Sequence, residues 1–277
     1  MEFTKMHGAG NDFVLFNGMN QKIDDYGKLA LKVCDRHFSV GGDGIMIAEK
    51  SDRADVRMIY YNSDGSQGEM CGNGIRCFSK FVYDNKIVEQ EVFTVDTLAG
   101  IQLVNLEVEH NEVKSVKVKM SKPIFTPKEI PVVCEDGKVM EKSIEVDGEK
   151  VVFSTIFLGV PHTVIFVDDI NKININALGC KIEKHPIFPK NTNVNFVEVK
   201  ERDNINVYTW ERGAGRTLAC GTGCCSSVVV GNVLNKLDKK VKVQAEGGIM
   251  EIEIKDEFEV IMKGNATTIC VGEFTDI

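Results

Sequence analysis

The sequence predicts an α+β protein of two pseudo-symmetric α/β halves, each a mainly antiparallel or mixed sheet wrapped around a long helix. Three observations predict this fold. Short runs such as Val104, Leu106 and Val108 alternate apolar and polar residues, which is typical of strands. Segments 74–83 and 222–237 have helical composition. Each of these helical segments follows the same motif, Cys-Gly-x-Gly, once in either half of the chain.

Composition limits the classes of protein to consider. With 277 residues, 43% hydrophobic and 27% charged, the chain is typical of a soluble globular protein with one large domain or two smaller ones. The net charge of −8 leaves no basic surplus to neutralise phosphates, so neither a nucleic acid nor a membrane is expected as a partner. A small anionic substrate, held by one local arginine, remains compatible with this charge.

Targeting features and cysteine usage favour a cytoplasmic protein. Residues 1–7 lack the basic-then-apolar layout of a secretory signal. The charge-free run Val151 to Val167 has 17 residues and contains Gly159 and Pro161, so it does not predict a spanning helix. Nine cysteines without Cys-x-x-Cys spacing indicate a reducing compartment rather than a disulfide framework.

Helices and strands can be placed along the chain. A helix is predicted over 24–33 with Asp24 as its N-cap, besides those at 74–83 and 222–237. Strand-like runs lie at 13–16, 45–47, 56–61, 91–120, 151–158, 163–167, 194–199, 205–210 and 241–274. The proline-containing segment 122–131 is typical of a linker. We therefore expect domains at 1–121 and 122–277, and the last strand can return to the N-terminal half.

An internal duplication relates the two halves. Shifting the first half by 149 positions lays residues 44–74 over 193–223 without a gap. Only five positions are identical, but strand, strand, polar loop, Cys-Gly-x-Gly and helix follow in the same order. A looser similarity places 8–16 over 159–167. The two motifs therefore predict one chemical site in a cleft between two similar halves.

Cys71 and Cys220 are the candidate acid/base residues. A cysteine at a helix N-terminus faces the positive end of the helix dipole and unpaired backbone N–H groups. This setting lowers the pKa of a thiol, and the same N–H groups bind an anion such as a carboxylate. Two such helices would hold one carboxylate between two sulfurs. One thiolate would remove a proton from carbon and the opposite thiol would return one, which inverts a stereocentre.

Other kinds of chemistry have weaker support in the sequence. The remaining cysteines are predicted to be small buried hydrophobic residues: Cys34, Cys77, Cys134, Cys180, Cys224, Cys225 and Cys270. No paired spacing typical of structural zinc is present, so no metal is predicted. The sequence also lacks a nicotinamide fingerprint, a P-loop and a lysine context typical of pyridoxal phosphate, so no cofactor is predicted.

Several motifs in order along nearly the whole chain carry a resemblance to a known family. They are Met6 to Phe13, Asn62 with Asp64-Gly65-Ser66, Glu69 to Gly74, Gly159 to His162, Asn193, Glu211 to Gly215, and Cys220 to Gly223. With these motifs the sequence resembles the diaminopimelate epimerase family. Its members interconvert LL- and meso-diaminopimelate without a cofactor, for lysine and peptidoglycan synthesis.

The resemblance implies a set of roles. Cys71 and Cys220 are the two bases. The backbone N–H groups of Gly72, Asn73, Gly221 and Thr222 take the reacting α-carboxylate. Asn11 lies near the reacting centre, and the distal L-centre is held by Asn62, Asn193, Glu211 and Arg212. Those residue types fit, because a guanidinium pairs with a carboxylate and carboxylate or amide oxygens accept from an ammonium. His162 is interpreted as structural.

Two departures from the family pattern bear on the substrate. Many members carry asparagine where this chain has Val160, and some carry glutamine where it has Gly44. Losing one amide donor to a carboxylate weakens binding by about 1.5–3 kcal/mol if nothing compensates. Val160 and Gly44 are therefore candidate specificity positions.

The alternatives follow from these departures. Another amino-acid racemase of the same architecture, for example one acting on histidine or lanthionine, is the first rival; proline is disfavoured because proline racemases typically carry histidine where this chain has Asn73. A non-enzymatic thiol redox switch or binding protein is the rival from another class. In each enzymatic case the partner is a small amino-acid substrate. The sequence permits a homodimer.

Overall fold

The computed structural model describes residues 1–19 and 23–275, of which many more lie in strands than in helices. The strands are β1 (Glu2–Gly8), β2 (Asn11–Asn17), β3 (Gly44–Glu49), β4 (Val56–Asn62), β5 (Val92–Thr97), β6 (Gly100–Glu109), β7 (Glu112–Lys119), β8 (Val139–Val146), β9 (Glu149–Leu158), β10 (Val160–Val167), β11 (Asn193–Glu201), β12 (Asn204–Glu211), β13 (Gly215–Thr217), β14 (Lys240–Ala245), β15 (Gly248–Ile254), β16 (Val260–Gly264) and β17 (Thr267–Glu273). The α-helices are α1 (Tyr26–Val33), α2 (Gly72–Asp84), α3 (Ile175–Glu183) and α4 (Gly221–Val233).

The chain folds into two compact units, unit 1 (1–119 with 263–277) and unit 2 (120–262). In unit 1 the strands pair in the order β17-β1-β2-β3-β4-β5-β6-β7. Pairs β2–β3 and β4–β5 are parallel and the others antiparallel, so the sheet is mixed. Helix α2 contacts strands of this sheet, and ten of its thirteen residues are buried.

Unit 2 repeats this arrangement. Its strands pair in the order β8-β9-β10-β11-β12-β14-β15, and the short β13 also pairs with β12. Pairs β10–β11 and β12–β14 are parallel, as are their counterparts in unit 1. Helix α4 contacts six of these strands, and its buried residues include Val228, Val229 and Val230. The predicted mixed sheets and pseudo-symmetric halves are therefore confirmed.

The strand registers give the duplication its exact offset. Phe13 pairs with Gly44 across β2 and β3, and His162 pairs with Asn193 across β10 and β11. Both residues of the second pair lie 149 positions after those of the first. The alignment of 8–16 with 159–167 is therefore displaced by two residues. The turn between β9 and β10 is shorter than the turn between β1 and β2. With the corrected offset, Asn11 corresponds to Val160.

The same offset accounts for the helix that the sequence reading missed. Helix α1 begins at Tyr26, and α3 begins 149 positions later at Ile175. Helix α3 has only nine residues and a glycine interrupts it, so its composition alone does not predict a helix. The N-cap of α1 is Asp25 and not Asp24, because the Asp25 side chain accepts from the N–H of Lys28 at 3.0 Å.

Helix bounds and cysteine burial need further corrections. Helix α2 begins at Gly72, directly after Cys71, and α4 ends at Val233, four residues before the predicted end. Cys270 is exposed on β17, and Cys134 and Cys180 are partly exposed, so these three are not buried hydrophobic residues. Within residues 1–19 and 23–275, none of the helices has the length and apolar character needed to span a membrane.

Candidate active site

Cys71 is the N-cap residue of α2. Its backbone is extended, with φ −131° and ψ 123°, and its Sγ accepts from the N–H of Gly74 at 3.4 Å. The thiol is partly buried, whereas the following residues Gly72 and Asn73 are buried in the first turn. N–H groups of a first helical turn have no partner within the helix. This end of α2 therefore combines a sulfur with donors suited to a carboxylate, as the sequence predicts.

Asn11, at the start of β2, lies beside Cys71. The Cys71 Sγ is 3.5 Å from the Asn11 Oδ1, and the Asn11 Nδ2 donates to the Asp43 Oδ2 at 2.5 Å. The backbone N–H of Asp12 donates to the same carboxylate oxygen at 3.1 Å. The loop before β3 therefore connects with the Cys71 site, defined as Cys71, Asn11, Gly72 and Asn73.

Charged side chains surround that carboxylate. Arg36 donates to Asp43 at 2.8 Å and to both carboxylate oxygens of Asp12, while Lys5 forms an ion pair with Asp12 at 2.6 Å. Burial raises the pKa of Asp12, but the hydrogen bonds from Arg36 and Lys5 outweigh it and hold that pKa well below its usual range. The Asp12 carboxylate therefore remains ionised beside the site.

A buried arginine lies behind the first turn of α2. Arg76 is fully buried; its guanidinium donates to the carbonyl of Gly72 at 3.0 Å, to the Asn73 Oδ1 at 3.0 Å and to the carbonyl of Asn265 at 3.2 Å. The bond from Arg76 holds the Asn73 side chain in its orientation. Arg76 also adds a positive charge next to the dipole-positive end of the helix.

Asn62 and Gly44 lie at the ends of two paired strands in unit 1. The Asn62 Oδ1 accepts from the Tyr60 hydroxyl at 2.5 Å, and its Nδ2 donates to the Ser66 Oγ at 3.0 Å. A Cβ at Gly44 would lie 2.5 Å from the carbonyl oxygen of Tyr61 and 2.9 Å from the Tyr60 ring. This backbone therefore has no room for the glutamine side chain found in some relatives.

Cys220 is the N-cap residue of α4, but its surroundings differ from those of Cys71. Its side chain is buried and makes no capping hydrogen bond, and its Sγ lies 3.4 Å from the Thr222 Oγ1. Burial raises the pKa of the Cys220 thiol well above its usual value, and the negative charge of Glu211 raises it further. The expected lowering of this pKa is therefore wrong, because desolvation outweighs the helix N-terminus.

A chain of hydrogen bonds continues from Thr222 into the core of unit 2. The Thr222 Oγ1 lies 3.0 Å from the His162 Nε2, and the His162 Nδ1 lies 3.3 Å from the Asn195 Nδ2. Burial, with the nearby charge of Arg212, lowers the pKa of His162 to about 3, so the imidazole is neutral. Since the Asn195 Nδ2 is a donor, the His162 Nδ1 accepts and its Nε2 carries the proton.

Asn193 organises the loop that carries the candidate distal-binding residues. Its Nδ2 donates to the carbonyl of Pro161 at 3.0 Å, and its Oδ1 accepts from the backbone N–H of Arg212 at 2.9 Å. The Arg212 side chain is exposed and donates to the carbonyl of Lys190 at 3.0 Å. Glu211 accepts from the Thr217 hydroxyl at 2.6 Å. We define Cys220, Gly221, Thr222, Asn193, Glu211 and Arg212 as the Cys220 site.

Val160 is the first residue of β10 and is partly buried. It occupies the register position that Asn11 has in unit 1. A valine side chain offers neither a hydrogen-bond donor nor an acceptor. The Cys220 site therefore lacks the amide that the Cys71 site has at the equivalent position.

Sequence reasoning missed several residues that hold the site side chains. They are Asp43, Arg76, Asn195 and Glu183, whose buried carboxylate accepts from the Trp210 indole at 2.7 Å and from the N–H of Gly213 at 3.2 Å. Only Asp43 carries a signal in the sequence, since it lies in the Gly-rich turn 41–44. Among the residues that the structure describes, no group of three or more His, Cys, Asp or Glu side chains is arranged to hold a metal ion.

Comparison with known proteins identifies the family. The family model described as diaminopimelate epimerase matches residues 3–126 and 154–269, which is most of the chain. A diaminopimelate epimerase from Alkaliphilus metalliredigens is 46% identical over 275 residues, covering 99% of this chain and 97% of that protein. The chain belongs to the diaminopimelate epimerase family. Another relative of that name, from Caldanaerobacter subterraneus subspecies tengcongensis, is 44% identical over 273 residues and 99% of both chains.

A solved structure shows that the fold extends beyond the diaminopimelate epimerase family. A probable proline racemase from Agrobacterium radiobacter superposes with a TM-score of 0.73 at 13% identity, covering 100% of this chain and 93% of that chain. At this identity the similarity concerns the fold alone. Family membership shows that the chain is an isomerase whose relatives act on a small amino acid, as the sequence predicts.

Proposed function

We propose that this protein converts LL-diaminopimelate to meso-diaminopimelate by a two-base mechanism that needs no cofactor. The observation that carries the proposal is the repeated N-cap cysteine. Cys71 and Cys220 are the N-cap residues of α2 and α4, and they are separated along the chain by the same offset that relates the strand registers. Each cysteine precedes the first turn of a helix, whose N–H groups have no carbonyl partner within the helix. The family relationship supplies the substrate.

In the proposed reaction one substrate molecule uses both cysteine sites. The N–H groups of Gly72, Asn73, Gly221 and Thr222 take the α-carboxylate and so stabilise the negative charge that develops when the α-proton leaves. Cys71 or Cys220, as a thiolate, removes that proton, and the other, as a thiol, protonates the opposite face. The raised pKa of Cys220 supports its being the protonated partner before substrate binds.

The distal L-centre is proposed to bind the polar side chains at the strand ends. Arg212 provides a guanidinium for the second carboxylate, while Glu211, Asn62 and Asn193 surround the second ammonium. Supporting this role, the Arg212 side chain is exposed and donates to the carbonyl of Lys190, so it can turn toward a carboxylate. Asn193 acts mainly through the backbone of Arg212.

The test is proton exchange at the α-carbon in heavy water. The purified protein, incubated with LL-diaminopimelate, should form the meso isomer and incorporate deuterium at the α-position, followed by NMR and chiral chromatography. A Cys270→Ala variant is the matched control, because that thiol is exposed on β17. Absence of exchange with LL-diaminopimelate, in wild type and control alike, refutes the assigned substrate.

Val160 and Gly44 favour including a second substrate class in this test. Val160 offers no donor to a distal carboxylate, and Gly44 has no room for a side chain. The same assay should therefore include histidine and lanthionine as substrates of the alternative racemase. Exchange with one of these and none with diaminopimelate would transfer the proposed function to that amino acid.

Assembly and compartment are the final parts of the proposal. We propose a homodimer, tested by light scattering during gel filtration, for which the predicted mass is twice 30.8 kDa. All nine cysteines are free thiols. A mechanism based on two reduced cysteines fits the reducing cytoplasm.

A further inference from the structure

We propose that Asp43 is a positioning residue that fixes the orientation of the Asn11 amide and thereby keeps an acceptor oxygen against the Cys71 thiol. The proposal deepens the proposed function, on which it rests only in taking Asn11 and Cys71 as parts of the catalytic site. The relevant contacts all lie within unit 1.

The chemistry of a carboxylate decides which way the Asn11 amide faces. An ionised carboxylate accepts hydrogen bonds and donates none. The Asp43 Oδ2 is 2.5 Å from one terminal atom of the Asn11 amide, so that atom must be the NH₂ group. The other terminal atom, which lies 3.5 Å from the Cys71 Sγ, is therefore the oxygen. Asp43 selects this orientation without touching the cysteine.

Neighbouring groups hold the Asp43 carboxylate in place. Its Oδ1 accepts from Arg36 at 2.8 Å, and its Oδ2 also accepts from the backbone N–H of Asp12 at 3.1 Å. Lys5 of β1 is a further charged group on this side, and it pairs with Asp12. With the Asn11 Nδ2, three donors point at this one carboxylate and restrict its rotation.

The orientation of Asn11 affects the two protonation states of Cys71 differently. An amide oxygen accepts from the S–H of a thiol but repels a thiolate, whereas the N–H of Gly74, 3.4 Å from the sulfur, favours the thiolate. A residue that must act as acid in one direction and as base in the other needs both states within reach. Asp43, through Asn11, supplies the stabilisation of the thiol.

The Asp43→Asn substitution should reverse the amide. Arg36, a charged donor, should compete more strongly than the backbone N–H of Asp12 for the single oxygen of the new side chain, which leaves its NH₂ group facing Asn11. Asn11 would then turn its oxygen toward position 43 and its NH₂ group toward Cys71. An N–H donor favours a thiolate, so the pKa of Cys71 should fall by about one unit, and alkylation at neutral pH should be about tenfold faster.

The experiment measures the rate of iodoacetamide alkylation of Cys71 against pH, with peptide mass spectrometry to separate it from the other thiols. Asp12→Asn is the charge-matched control, because it removes one carboxylate from the same cluster without contacting the Asn11 amide. Its effect on the alkylation rate should be less than about threefold, which is the size of a screened charge effect. In a protein that also carries Asn11→Leu, the Asn11 amide is gone. Asp43→Asn should then increase the alkylation rate of Cys71 no more than Asp12→Asn does.

The outcomes separate this proposal from its alternatives. A Cys71 pKa that is unchanged in Asp43→Asn, or that shifts equally in Asp12→Asn, overturns the positioning role. Should Asp43→Asn fail to fold, Asp43→Ser replaces it, because a hydroxyl can donate toward Asn11 and the same downward shift is expected. Alkylation requires no turnover. A wrong substrate assignment therefore leaves this test intact, and a failed test leaves the epimerase proposal intact.

Discussion

The N-termini of α2 and α4 have similar backbone conformations but different surroundings. Both begin after a cysteine with extended backbone, and both continue into a buried helix. At the first, Asn11 lies against the sulfur and Arg76 lies behind the turn. At the N-terminus of α4, the corresponding positions are Val160 and Cys225, which are uncharged. There the negative charge of Glu211 raises the pKa of the Cys220 thiol.

This difference shows how a duplicated motif can produce two unequal thiols. The backbone N–H donors that suit a carboxylate depend only on the helix start, so duplication preserves them. Thiol acidity depends on burial and on neighbouring charge, which side chains control. One helix start therefore lies among an amide and a guanidinium, and the other among a neutral imidazole, a hydroxyl and a carboxylate.

The largest expected effect tests whether both sites are catalytic. Cys71→Ala and Cys220→Ala should each lower kcat for epimerisation by about 10³-fold or more, because each removes a proton-transfer group. The measurement is the rate of meso isomer formation by chiral chromatography. Cys225→Ala is the control, since that buried thiol belongs to α4 but is not an N-cap residue. Near-normal activity in either N-cap variant contradicts the two-base mechanism.

The next prediction compares packing at the two turns. A Cβ at Gly74 would overlap the terminal methyl of Met46, whereas a Cβ at Gly223 would overlap the Asn195 Oδ1. The methionine is flexible, but Asn195 is bonded to His162, Thr163 and Thr209. Gly223→Ala should therefore lower the free energy of unfolding by about 2 kcal/mol, and Gly74→Ala by less than about 1 kcal/mol. Urea unfolding followed by circular dichroism measures both, and the reverse order would contradict this account.

A third prediction concerns the acidity of Cys220. The Thr222 hydroxyl stabilises the thiolate, so Thr222→Val should raise the already elevated pKa of Cys220 further. A higher pKa means less thiolate at a given pH, so the alkylation profile of Cys220 should move to higher pH, and its rate at pH 8 should fall about tenfold. Thr222→Ser retains the hydroxyl and should retain the wild-type profile. An unchanged profile in Thr222→Val would show that the hydroxyl does not act on the sulfur.

The smallest expected effect concerns substrate specificity. Val160→Asn gives unit 2 the amide that Asn11 provides in unit 1, and should lower the KM for diaminopimelate about three- to tenfold, which corresponds to one added hydrogen bond. Val160→Leu is the apolar control and should not lower KM. Steady-state kinetics measure both. Tighter binding of histidine or lanthionine, without a gain for diaminopimelate, would favour the rival substrate class.

Periodicity and the repeated motif were sufficient to predict the mixed sheets, three of the helices and the pseudo-symmetric halves. The reason is that strand alternation, helix starts and a 149-residue offset are local or repeating features of the chain. Helix α3 and the true register of β10 were missed, because both need the duplication extended through regions without identical residues.

The sequence by itself determined that two cysteines lie at helix N-termini, because that arrangement depends on adjacent residues. Only the tertiary structure decided how acidic Cys220 is, since burial and the charge of Glu211 come from segments distant along the chain. The hydrogen bond between Asp43 and Asn11 likewise could not be predicted from the sequence, because 32 positions separate the two residues. Hydrogen bonds and desolvation act through space, and the sequence fixes neither distance nor burial for residues so far apart.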